Sequence, residues 1–119
     1  MPVRAKLATY LRQESQRRVE QLAEYPDDRR YPRSIEALQG FAWYVDDLPG
    51  EDENVKALEA LQDRYHLDLF APGEEGQRII THLGLQHRVR DFEPVLRALI
   101  EAEVSEAVEH YDDAATGEH

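Results

Sequence analysis

Apolar residues recur along this chain at helical spacing, in five segments separated by proline and glycine, and no pair of segments shows the alternation of a β-hairpin. The pattern predicts an all-α protein: one domain over residues 1–111, a compact bundle of about five helices near 3–25, 34–48, 52–68, 74–83 and 92–111, followed by a frayed acidic tail over 112–119. In the first segment Val3, Leu7 and Leu11 form one stripe, Glu14 and Ser15 interrupt it, and it resumes at Val19, Leu22 and Ala23. Pro26 ends it, because proline disfavours helical geometry in the residue before it. Ser34 is the expected N-cap of the second helix, which buries Ile35, Leu38, Phe41 or Ala42, and Val45 before Pro49-Gly50.

The third segment opens on Glu51, Asp52 and Glu53, acids that suit the positive pole of a helix, and buries Val55, Leu58, Leu61 and Tyr65. Alternation of Tyr65, Leu67 and Leu69 blurs its end, which is read as a fraying helix. Ile79, Ile80 and Leu83 mark a short fourth helix, with Gly84 placed to stop it in a left-handed conformation and Leu85 to fold back on Ile80. Asp91 caps the fifth, whose wide stripe runs from Val95, Leu96, Leu99 and Ile100 to Val104, Ala107, Val108 and Tyr111. One core is therefore expected to hold Leu38, Val45, Leu58, Leu61, Ile80, Leu96, Leu99 and Ile100.

Charge changes this picture by splitting the chain. Residues 1–33 carry eight bases against five acids, a net of +3, whereas residues 34–119 carry six bases against twenty acids, a net of −14. A basic leading helix on an acidic body is expected to dock on an acidic surface, and a terminal arm with Arg12, Arg17 and Arg18 on its polar side reaches most naturally across a twofold axis to a second copy. A homodimer with a further protein partner is the expectation, and Trp43 and Tyr44 join those arginines as interface candidates, since Phe41 and Trp43 cannot share one helical stripe. A net charge of −11 opposes binding to nucleic acid or to an anionic membrane, and no run approaches the length of a membrane span. With no secretory pattern at the start, a cytoplasmic location is expected.

The chain has no cysteine, so disulfides, thiolate metal sites and cysteine nucleophiles are excluded. Arg78, His82, His87, Arg88 and Arg90 form an acid-free stretch suited to an anion, although bases at the end of the fourth helix also complement its dipole. The acidic turn Asp46, Asp47, Glu51, Asp52 and Glu53 lacks the alternating donors of a calcium loop and reads as a solvated turn that caps a helix. The five histidines, 66, 82, 87, 110 and 119, contain no helical i, i+4 pair, and no metal or other cofactor is expected.

On the last helix Glu103, Glu106, His110 and Asp113 share one face. The segment Glu101 to Val108 resembles the first acidic motif of the all-α NTP pyrophosphohydrolases of the MazG type, which hold magnesium with a second acidic helix further along. Nothing downstream in this chain supplies that second pair, so the resemblance covers half a motif, and an acidic outer helix face accounts for it. The common nucleophile and phosphate-loop motifs are absent, and no catalytic residue is assigned. The expected function is that of a small acidic interaction module, regulatory, antitoxin-like or immunity-like. The competing reading is a magnesium- or manganese-dependent hydrolase of a phosphorylated small molecule.

Overall fold

The structure, a computed structural model, describes residues 2–65, 74–85 and 91–117, with the backbone alone described at position 65 and from 110 onward. Five helices follow in order: α1 (Val3–Glu24), α2 (Arg30–Asp47), α3 (Glu53–Tyr65), α4 (Glu74–Leu85) and α5 (Glu93–Gly117). No strand occurs among the described residues, and the fold is an all-α bundle. The ambiguous stretch beyond Tyr65 lies outside the described residues.

Antiparallel packing of α1 on α2 forms the longest interface. Arg4 reaches the Leu48 carbonyl at one end, while Arg18 and Ser34 meet at the other. Helix α4 packs on the far half of α2, and α5 closes the bundle against α4 and α3. All eight residues expected in the core are buried there, joined by Val3, Leu7 and Leu11 of the leading helix. Phe41 and Tyr44 of α2 form an aromatic cluster with Phe92, the second residue before Pro94 and just ahead of α5, with Phe41 and Phe92 edge to face at 5.5 Å between ring centroids. Gly40 makes room for it, since a Cβ there would lie 3.1 Å from the Phe92 ring.

Three expectations are corrected by local chemistry. Helix α2 begins at Arg30, not Ser34, because Asp28 accepts the Arg30 backbone N–H at 3.0 Å and Pro32 falls in the first turn, where a missing N–H costs nothing. Ser34 is consequently a buried residue inside the helix. Gly84 does not stop α4: the helix runs through it to Leu85, and the absent side chain lets α4 close on Ser34 of α2. Leu85 is 55% exposed and does not fold back on the core.

The third correction concerns the stripe of α1. It continues in phase through Glu14 and Ser15, both buried, and leaves Val19 and Ala23 exposed and Leu22 half-buried. A helical face is set by its 3.6-residue period, which leads from Leu7 and Leu11 to Glu14, Ser15 and Arg18 whatever their polarity. Helix α5 extends to Gly117. Elsewhere the expected caps are in place: Asp52 accepts the Asn54 N–H at 2.9 Å and Asp91 accepts the Glu93 N–H at 3.2 Å.

Candidate functional site

The polar interruption in the buried stripe of α1 opens onto a cleft of about 370 Å³ between α1, α2 and α4. Helix α1 contributes Glu14, Arg17, Arg18 and Gln21, which fall three or four apart and so line up along one side of the helix. The first turn of α2 adds Arg30 and Tyr31, with Ser34 one turn further on. Gln77, Thr81 and Leu85, again at fourfold spacing, supply the α4 wall.

Glu14 organises the basic side of this cleft. Its side chain is 9% exposed and sits between two guanidinium groups, with Arg17 at 3.3 Å from one carboxylate oxygen and Arg18 at 3.1 Å from the other. Arg18, itself 15% exposed, also donates to the Glu14 backbone carbonyl at 3.1 Å. A carboxylate this far from water persists as an anion only when paired and hydrogen-bonded, and two arginines meet that requirement. Next to them Tyr10 accepts a hydrogen bond from Gln77, tying α1 to α4 at the inner edge. Burial, and secondarily the negative charge of Glu14, push the Tyr10 phenol above its usual pKa, so it stays a neutral hydroxyl.

Arg30 is held from outside the cleft by Asp28, whose carboxylate it grips at 2.7–3.2 Å. That fork, together with the Arg30 backbone N–H, lowers the Asp28 carboxyl to about 2. The cleft lining thus carries three guanidinium groups and one carboxylate, a net of +2, or +1 with Asp28 included. On a chain of net charge −11 this is a concentrated positive site, and planar guanidinium forks suit carboxylate or phosphate oxygens. A Cβ at Gly84 of α4 would meet two of the lining residues, Ser34 of α2 and Arg18 of α1.

No protein-family model, curated protein or solved structure matches this chain.

The sequence-derived candidates distribute as follows. Arg17 and Arg18 belong to the cleft, whereas Arg12 lies outside it and pairs with Asp46 of α2 within the same chain. Trp43 is 70% exposed on the outer face of α2, while Tyr44 is half-buried in the aromatic cluster, where burial raises its phenol pKa. Arg78 and His82 line a separate, mostly apolar groove of about 440 Å³ between α4 and α5, with Ile79, Leu83, Val95 and Ala98, and Arg78 pairs with Glu74 at 3.2 Å. His87, Arg88 and Arg90 lie outside the described residues.

Four of the acidic candidates are placed by the structure as well. Asp46 takes the charge of Arg12 and Asp52 caps α3. On α5 Glu106 accepts the backbone N–H of Glu75 at 2.7 Å, and Glu103 is buried. Among the described residues no three His, Asp or Glu side chains are grouped so as to hold a metal ion. No described helix is long and apolar enough to cross a membrane.

Sequence reasoning missed Glu14, Arg30, Tyr31, Gln77 and Thr81 as site residues. A signal for Glu14 was present: a charged residue in phase with an apolar stripe marks a place where the fold must bury and pair a charge.

Proposed function

We propose that this chain is a binding module of regulatory type, and that its ligand presents an anionic group, a phosphate or carboxylate, to the cleft between α1, α2 and α4. One observation carries the reading: Arg17, Arg18 and Arg30 converge from two helices on a cleft in which Glu14 is the sole carboxylate among the described lining residues. Glu14 holds Arg17 and Arg18 in place, and each guanidinium has more N–H donors than these pairs use, which leaves capacity for an incoming oxyanion.

Calorimetric titration with inorganic phosphate at low salt tests the reading. Saturable binding is expected, weakening as salt is raised and lost in Arg18→Gln, because the cleft is open to solvent and its field is screened. Absence of saturable binding to phosphate and to citrate would refute it.

Trp43 favours a second, compatible role, contact of the outer face of α2 with a second copy of the chain or another protein. A tryptophan 70% exposed on a helix whose apolar face is already buried gains from being covered. As the chain has one tryptophan, its emission reads out that contact directly. Homodimerisation through Trp43 predicts a blue shift with rising protein concentration that parallels the sedimenting mass. Constant emission with monomeric sedimentation at tens of micromolar would exclude it.

A further inference from the structure

We infer that the anion bound in this cleft is carried on a planar ring, and that the ligand is a nucleoside monophosphate. This inference rests on the anion-binding reading above and adds to it the shape and polarity of the rest of the cleft.

The lining of the cleft is not uniformly polar. Its basic side is built by Arg17, Arg18 and Arg30, but two of its lining residues, Tyr31 and Leu85, offer an aromatic and an aliphatic surface instead. Tyr31 is half-buried and its ring is stacked on Tyr25, with centroids 6.5 Å apart and planes 22° from parallel. The stacking fixes the ring's orientation before any ligand arrives, which lowers the entropic cost of using it as a platform. Leu85, on the last turn of α4, is a large apolar side chain left 55% exposed beside a polar cleft. Apolar surface at a cleft mouth next to an arginine cluster suits a ligand that is anionic at one end and flat and weakly polar at the other.

The remaining groups fit the edges of a base or sugar. Gln21, Gln77 and Thr81 are exposed amide and hydroxyl side chains that both donate and accept, so they match mixed donor and acceptor edges rather than a second charge. Base stacking on an aromatic residue next to arginine is an established source of affinity that tolerates different bases. The volume of about 370 Å³ lies near the lower end of the range for small-molecule sites, enough for a ligand the size of one nucleotide. The net charge of +1 to +2 matches the dianion of a phosphomonoester.

The test is calorimetry of the full chain with inorganic phosphate, adenosine, and the monophosphates AMP, GMP, CMP and UMP. At least one monophosphate is expected to bind tenfold or more tighter than inorganic phosphate, with adenosine weaker than that monophosphate. Tyr31→Ala should bring the monophosphate back to within threefold of phosphate, and Tyr31→Phe should restore the difference. If Tyr31→Ala does not fold, Leu85→Ser on the exposed opposite wall takes its place, with a loss of at least threefold in monophosphate affinity. Monophosphates that bind no tighter than phosphate overturn this inference and leave the anion reading standing. Failure of phosphate and all four monophosphates to bind overturns both.

Discussion

A single methyl group added at position 84 would land against the Ser34 hydroxyl, well inside contact distance, and this makes Gly84→Ala a direct probe of how α2, α4 and α1 meet. Two effects oppose each other. Alanine is the better helix residue by at most about 1 kcal/mol, less near a helix end such as this one. Against that stands overpacking of a buried contact, which costs about 1–3 kcal/mol when neighbours must shift. The net expectation is a loss of about 1 kcal/mol, seen as a lower urea midpoint with an unchanged slope.

Ser34→Ala isolates the cause. Without the hydroxyl oxygen, the nearest atoms to the new methyl are the residue 34 Cβ at 3.4 Å and Arg18 Nε at 3.6 Å, ordinary contacts. In that background Gly84→Ala should be neutral or stabilising by up to about 1 kcal/mol, and the double-mutant cycle should show a coupling of about 1–2 kcal/mol. If Gly84→Ala raises the midpoint in the wild-type background as well, the close approach of α4 to α2 is refuted.

Three further outcomes are expected. Leu99→Ala should cost about 2–5 kcal/mol, because Leu99 is buried in the shared core, and a change of a few tenths in urea unfolding would contradict that placement. Ser15 is buried with no hydrogen-bond partner for its hydroxyl among the described residues, so Ser15→Ala should be neutral or stabilising by up to about 1 kcal/mol, and a clear loss on thermal unfolding would mean the hydroxyl is bonded. Asp28 should titrate at about 2 rather than 3.8 in a carboxyl-carbon NMR titration. As its folded pKa is depressed, its contribution to stability is full above pH 3.8 and is lost as pH falls through about 2, and an ordinary titration midpoint would refute the Arg30 fork.

The fold was legible because a 3.6-residue period in Leu38, Val45, Leu58, Ile80, Leu96 and Leu99 survives whatever the surface residues are, and burial follows the period. The cleft was not legible for the same reason turned round. Glu14 and Ser15 sit in phase with the stripe but are polar, so hydropathy treats them as a gap, while the helix buries them on schedule. Ser34 and Gly84 carry strong local signals, a cap and a stop, and tertiary contact overrides both: each is a small residue that allows two helices to touch. Charge asymmetry pointed to a docking helix, but charge alone does not say which acidic surface receives it. The structure places Arg12 on Asp46 and Arg18 on Glu14, both in the same chain.

Amide and arginine side-chain chemical shifts of the isotope-labelled full chain, followed through a titration with inorganic phosphate at low salt, test the central claim most directly. The account predicts saturable shifts concentrated on Arg17, Arg18, Arg30, Tyr31 and Thr81, with the arginine side-chain signals moving most. Shifts absent from these residues, or spread over surface bases such as Arg78 and Arg97 without saturation, would contradict it.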